Sequence, residues 1–373
     1  MRRTATEPRS PAPLLTRREL GRATLARQLL LERAPIGAVE ALARLAGMQA
    51  QEPRPPFVGL WSRLRDFRAD ELLGALRAGA VLRGPLFRAT LHLVTEADWS
   101  VFRAPCQPAL SRALRVLGTR AQTLDLERLA ELSRELLRER PRTAGELRAL
   151  LHEAFPDEDQ RALGYAVRTN LQLVMVATED RWGFPRDAQL RLAEATNASE
   201  DPGELVRRYL AAYGPASVAD AQEWSGLVGL APTFEAMRPA LARFSDERGR
   251  ELFDLPDAPR PGAEEPAPAR YLPEFDSLVL AHADRSRLIA DEHRRYLTTK
   301  NLRVNATALY DGEVCATWTV KRTARAATLE ITPFRSLSSA ARRALEIEGL
   351  ALLGANEAEG ATRRVAVLAP PRD

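Results

Sequence analysis

Apolar residues recur at helical spacing through the first two thirds of the 373-residue chain and alternate with polar ones in the last third. LTRRELGRATLARQLLLER opens with Thr16 and carries Glu19 three residues on, a capping box ahead of a helix. After Pro35, IGAVEALARLAGM sets Ile36, Val39, Leu42, Ala43 and Ala46 at helical spacing, and two further helices are expected near 57–65 and 69–78. AVLRGPLFRATLHLV then alternates like a β-hairpin, with its turn expected at Gly84 and Pro85. Helices closed by a short hairpin are the order of a winged helix.

That order recurs. A helix is expected over 126–139, a second in TAGELRALLHEAF with Thr143 and Glu146 as its capping box, and a third in DEDQRALGYAVRTNLQ. LVMVATEDRWGFPRD follows as a strand, a turn through Glu179 and Asp180, and the start of a returning strand. A weaker third copy runs from ELVRRYLAAYG through SVADAQEWSGL and PTFEAMRPALARF to a wing at SDERGRELFDL. A Pro-rich stretch then precedes the alternating segments LVLAH, NLRVNATALYDGEVCATWTVKR and AATLEITPF, with one helix near 336–352. The expected fold is α+β: a disordered leader at 1–13, three tandem winged-helix units at 14–100, 101–200 and 201–258, a linker at 259–269, and a small antiparallel, barrel-like β-domain at 270–373 that closes over the helical part.

Composition narrows the chemistry. The net charge is +4, and Arg supplies all but two of the 54 basic residues, Lys300 and Lys321 being the exceptions. So strong a bias points to genome composition, so the charge permits a polyanionic partner without demanding one. Cys106 and Cys315 are too few and too far apart for a disulfide framework or a cysteine-built zinc site. The basic N-terminus has no apolar core of signal-peptide length, and no apolar run approaches the length of a bilayer span, so a soluble cytoplasmic protein is expected. Gly-rich phosphate loops, GxSxG and HExxH are missing. His282 and His293, with Asp284 and Asp291 between them, do not make a convincing ligand set, and neither metal nor cofactor is expected. Winged-helix arrays commonly bind DNA, yet the third helix of the second unit, with Arg161 and Arg168, opens on acidic residues. Its wing carries Arg181, Trp182 and Arg186, which suits backbone contact better than reading of a major groove.

One short stretch stands out. LAGMQAQEPRPP sets Gln49 and Gln51 on either side of Ala50, just before Pro53, Pro55 and Pro56. The bland reading is a helix C-terminus whose free carbonyls are capped by glutamine. Together, however, GMQAQEPRPPFVGLWSRL, FRATLHLV at 87–94, LVLAHADRSRLI at 278–289 and DGEVCATWTVKR at 311–322 resemble, in order and over nearly the whole chain, the AlkZ/YcaQ-like family of helix-turn-helix DNA glycosylases. That resemblance implies three winged helices and a C-terminal β-barrel around a C-shaped channel for duplex DNA. It also implies catalysis by a Gln-x-Gln motif, or Gln-x-Asp in the YcaQ-like branch, and Gln49-Ala50-Gln51 matches the first form.

The chemistry fits amides. A guanine alkylated on its imidazole ring is already cationic and departs without a general acid. The enzyme then needs only to hold a water at the anomeric carbon and to set partial negative charge against the sugar. The expected activity is a monomeric, monofunctional DNA glycosylase acting on cationic alkylated guanine in duplex DNA, including bulky natural-product adducts or interstrand crosslinks, in repair or antibiotic self-resistance. Arg54, His92, Arg181, Trp182, Arg285 and Arg287 are the expected DNA contacts, Asp284 the expected partner of the last two, and Trp61 a core residue. The alternative is a winged-helix DNA-binding protein or regulator without catalysis.

Overall fold

The computed structural model describes residues 12–193, 199–301, 303–357 and 361–371; the leader expected at 1–13 therefore lies almost entirely outside the described residues. Leu14–Leu15 runs parallel to the strand Ala242–Asp246, and Thr16 and Glu19 form the expected capping box on the helix Arg17–Arg27. This helix works as a tie between distant regions. Arg18 and Arg22 donate to the carbonyls of Ala263 and Glu265 in the Pro-rich stretch at 2.7 and 2.6 Å. Arg27 makes a buried ion pair with Asp254 at 2.7 Å, and Leu25 joins the apolar cluster of the C-terminal region.

From Ala38 onward one element order occurs three times. The first unit is helix Ala38–Arg44, strand Met48–Gln49, helices Pro55–Arg63 and Ala69–Arg77, and a hairpin of Val81–Pro85 with Leu91–Thr95. The second is Leu126–Glu139, strand Arg142–Thr143, helices Ala144–Ala154 and Gln160–Asn170, and strands Leu173–Met175 and Gln189–Leu192. The third is Gly203–Tyr213, a single bridging residue Ala216, helices Val218–Ser225 and Ala231–Met237, and strands Ala242–Asp246 and Glu251–Asp254. In each unit the first strand, or its one-residue remnant, pairs antiparallel with the second hairpin strand.

The hairpins depart from expectation in one respect each. Gly84 does not turn the first one; it lies within a strand opposite His92, and a Cβ there would sit 2.6 Å from the Trp99 ring. The turn is at Leu86–Thr90, where Arg88 and Ala89 take φ of 53° and 58°. In the second unit the chain turns near Asp180, whose carbonyl accepts from Gly183 at 2.8 Å, but the returning strand starts only at Gln189. The intervening loop packs Trp182, Phe184 and Ala188 into the core of the first unit. Trp224 of the third unit, in turn, packs against Phe87 and Phe102 at the tip and flank of the first hairpin.

The C-terminal region corrects the expected antiparallel barrel. Arg270–Leu272, Thr307–Tyr310, Glu313–Arg322, Ala326–Pro333 and Thr362–Val367 form one sheet in that order, and the two outer strands are not paired with each other among the described residues. The sheet is open and mixed, because the helix Ser339–Asn356 carries the chain back so that Thr362–Val367 runs parallel to Ala326–Pro333. That helix covers one face, burying Leu345, Leu352 and Leu353, each worth about 1.5–3 kcal/mol of apolar transfer. Tyr271 fixes its seat by donating to the Leu345 carbonyl at 2.8 Å. LVLAH, expected as a strand, forms the short 3-10 turn Ser277–Val279 and a loop instead. No helix among the described residues is long and apolar enough to cross a membrane.

Candidate active site

The Gln pair is placed by punctuation on both sides. Ala46 and Gly47, at φ of 53° and 86°, swing the chain out of the helix Ala38–Arg44 into the strand Met48–Gln49. Only glycine fits at 47: besides its positive φ, a Cβ would lie 2.6 Å from Val94 Cγ1 and 2.8 Å from the Leu93 carbonyl oxygen. Beyond the pair, Pro55 and Pro56 open the next helix, where a missing N–H costs nothing. The helix before the pair is closed by backbone, Gly47 N donating to the Leu42 carbonyl at 2.9 Å, so Gln49 is a strand residue and caps no helix.

Gln49 stands directly across from His92 and is 6% exposed. Its Oε1 accepts from Arg88 at 2.9 Å, while another nitrogen of the same guanidinium donates to the Trp224 carbonyl. Burial lowers the Arg88 pKa to about 10, which leaves it cationic at neutral pH. His92 is 1% exposed and donates Nδ1–H to the Thr90 carbonyl at 3.0 Å; its Nε2 lone pair has no partner among the described residues. Burial first, and then the neighbouring Arg88, push the imidazole down to about 3, so it is neutral at every physiological pH. Gln51 is exposed, and among the described residues its Oε1 receives only a long 3.4 Å contact from Leu91 N. The backbone between the two glutamines is clamped by Arg83, which donates to the Ala50 and Gln51 carbonyls at 3.0 and 3.1 Å. Arg83 is also packed over Phe184 of the second unit, 4.8 Å from the ring centroid.

Beside Gln51 lies a groove of about 440 Å³ lined by Glu52, Arg54, Val58, Arg303, Trp318 and Arg322. Arg54 and Arg322 meet at Glu357, which Arg322 holds at 2.6 Å and Arg54 approaches to 3.6 Å, and Arg54 also feels the charge of Arg181. Desolvation, followed by the charge of Arg322, lowers the Arg54 pKa. Trp182 packs edge-on against Phe57 at 5.0 Å, with the guanidiniums of Arg54 and Arg181 at 5.9 and 4.9 Å from its ring. A larger cavity of about 700 Å³, bordered by Arg17, Arg248, His293 and Arg335, has none of these residues in its wall.

A model of the AlkZ-like DNA glycosylases matches residues 42–355, a span that includes the Gln pair and most of the chain. The chain belongs to the AlkZ-like DNA glycosylase family. Among solved structures, the DNA glycosylase AlkZ of Streptomyces sahachiroi superposes with a TM-score of 0.75 at 19% identity, covering 94% of this chain and 100% of that one. No curated protein matches the sequence significantly. The chain is therefore a DNA glycosylase with a mixed α+β fold like that of AlkZ, acting on DNA.

Within this AlkZ-like chain the expected site residues are dispersed. Gln49 and His92 face each other across one sheet, Gln51 follows in the loop with its Oε1 3.4 Å from Leu91 N, and Arg54, Arg181 and Trp182 gather beside the groove. Two expected DNA contacts lie in the interior instead. His92 is buried against Phe87, and Arg287, 5% exposed, donates to the Pro215 carbonyl at 2.9 Å and to Thr24. Arg285 pairs with Glu223 at 3.2 Å, and both of their charges are felt by Arg88. Asp284 partners neither Arg285 nor Arg287; it holds Arg248 and Arg250 at 3.1 and 2.7 Å. Trp61 packs on the C-terminal cluster under the Arg33 guanidinium, as expected. His282 is buried and donates to the Tyr213 carbonyl at 3.0 Å, and no group of three metal-ligating side chains occurs among the described residues. The sequence reading missed Arg83 and Arg88. Both sit in the quoted hairpin: Arg83 lies on its first strand opposite Leu93, and Arg88 lies in its turn at φ 53°, where strand alternation gives no direction.

Proposed function

We propose that this glycosylase hydrolyses the N-glycosidic bond of guanine alkylated on its imidazole ring, bulky natural-product adducts and interstrand crosslinks included, with Gln49 and Gln51 as the reacting pair. What carries the reading is the set of neighbours around the two amides. Gln49 faces a guanidinium and Gln51 a backbone N–H; the adjacent imidazole is neutral, and no carboxyl group hydrogen-bonds either amide among the described residues. Neither amide is thereby joined to an acid that could protonate a departing base, and Glu52, in the groove wall beside Gln51, is taken up by Arg303 at 3.5 Å. A cationic base needs none, and amide groups suffice to hold a water and to face a sugar that is gaining positive charge.

The three repeated units read as winged helices that hold duplex DNA, with the open C-terminal sheet as the opposite wall. The guanidinium groups of Arg54, Arg303 and Arg322 in the groove wall, each held by a carboxylate, suit exchange onto phosphate, and an open groove tolerates an adduct too large for a closed pocket. A single chain carries every group this requires, so the enzyme acts as a monomer, and excision of toxin adducts is its role in self-resistance. The test uses labelled duplexes carrying N7-methylguanine or a guanine–guanine nitrogen-mustard crosslink. Abasic sites are expected from the native chain and not from Gln49→Ala or Gln51→Ala, with unmodified guanine untouched. Excision of unmodified guanine at a comparable rate would sink the proposal.

A further inference from the structure

We propose that Arg88 is a positioning residue that decides which end of the Gln49 amide faces the DNA. The proposal rests on the reading of Gln49 and Gln51 as the reacting pair. An amide is nearly symmetric in shape, and its oxygen and nitrogen can exchange places unless a neighbour distinguishes them. Arg88 does so. A guanidinium has only donors, so the group 2.9 Å from it must be the Gln49 oxygen. The Gln49 NH₂ is then the end left over, and its carbonyl, already bound to a cation, is unavailable to a cationic sugar.

Gln51 is the complement. It is exposed, and among the described residues its oxygen has only the 3.4 Å contact from Leu91 N, which leaves it able to accept. The two residues of the motif are thereby divided into a donor, Gln49, and an acceptor, Gln51. A water between them receives an N–H from the first and gives an O–H to the second, which aims its remaining lone pair. Gln51 oxygen is also the one able to face the sugar.

Arg88 is held rigidly enough to impose this. It sits in the left-handed region at φ 53°, a second nitrogen is bound to the Trp224 carbonyl, and the preceding Phe87 stacks on Trp224 with ring centroids 3.9 Å apart. Gly226, at φ 77°, makes the close approach possible, since a Cβ there would lie 3.0 Å from the Arg88 backbone. The orientation of the Gln49 amide therefore depends on the docking of the third unit against the first.

The experiment measures single-turnover excision of N7-methylguanine, duplex affinity and thermal midpoint for Arg88→Ala, Arg88→Lys and Gln49→Ala. Arg88→Ala is expected to excise about 10- to 100-fold more slowly, the scale of a lost charged hydrogen bond, with duplex affinity retained. Millimolar guanidinium ion should restore Arg88→Ala and leave Gln49→Ala slow. Arg88→Lys should excise at neutral pH and fade as pH rises, because a desolvated ammonium titrates below its ordinary value of about 10.4, while the native rate should hold to higher pH, toward the Arg88 value of about 10. An Arg88→Ala rate equal to native, or a loss that follows the thermal midpoint and ignores guanidinium, overturns the positioning role. Full activity in Gln49→Ala would instead remove the reading beneath it.

Discussion

The first unit and the other two share an element order and differ at one joint. In the second unit the strand Arg142–Thr143 runs straight into the next helix, Thr143 being both the last strand residue and the N-cap, boxed with Glu146. The third does the same, with Ser217 directly after the bridging Ala216 and boxed with Asp220. In the first unit residues 50–54 separate the strand from the helix Pro55–Arg63, and the residue at its N-cap, Arg54, makes no side-chain capping bond. The inserted stretch holds Gln51, and it is tied by Arg83 and Leu91 rather than by a local cap. The candidate chemistry thus sits where the repeat gives up its own stabilising pattern and relies on tertiary contacts.

The largest expected effects fall in the insertion. Gln51→Ala should lower the excision rate on N7-methylguanine by about 100-fold or more, the scale seen when an oxyanion-hole donor is removed, and leave the thermal midpoint nearly unchanged because the side chain is exposed. A Gln51→Ala enzyme with native rate would mean that the inserted loop is only a spacer. Next comes the turn that delivers the strand. Gly47→Ala adds both a strained φ and a clash with Val94 and Leu93, and should destabilise the fold by about 2 kcal/mol or more in urea titrations.

A smaller effect depends on pH. His92 has its pKa lowered from the ordinary 6.5 to about 3, so between those values the unfolded chain binds the proton more readily than the folded one. The stability it contributes is complete above pH 6.5 and is lost as pH falls toward 3, by about 1.4 kcal/mol per unit at the steepest. Urea midpoints at pH 7 and 5.5 should show the decline, and His92→Phe should make it shallower. An unchanged slope in His92→Phe would assign the acid sensitivity elsewhere, for instance to His282, which burial also pushes down.

Local signals were legible in the sequence and distant ones were not. Two of the three capping boxes among the described residues, Thr16 with Glu19 and Thr143 with Glu146, were read from spacing alone, because a cap is decided within four residues; the third, Ser217 with Asp220, has Asp where the pattern looks for Glu or Gln. The Gln pair was visible as a pattern, and its family resemblance supplied the chemistry. Arg83 and Arg88 went unassigned because their partners, Gln51 and Trp224, lie 32 and 136 residues away. The turn was misplaced at Gly84 for the same reason: glycine there answers to Trp99, a contact that no local rule contains. His92 and Arg287 were expected to contact DNA and are buried, since burial of a polar side chain is settled by packing after the chain has folded. The antiparallel, barrel-like expectation failed on two points that no local pattern records: Thr362–Val367 runs parallel to its neighbour, and the outer strands are not paired with each other among the described residues.

The smallest expected effect tests the other side of the comparison. Thr143→Ala removes the hydroxyl that accepts from Glu146 N at 3.1 Å and should cost about 1 kcal/mol of stability. The same change leaves the backbone bond from Thr143 N to the Glu146 carboxylate in place, so the helix Ala144–Ala154 should persist. Excision should be unaffected, because the cap lies in a joint that contributes only stability. A tenfold fall in rate at unchanged duplex affinity would break the division between a capped, structural joint and an uncapped, reactive one. The coupling would then have to run through the sheet that Thr143 shares with Gln189 and on to Met175 and Phe184, the two side chains of the second unit that Arg83 touches while it clamps the Gln loop.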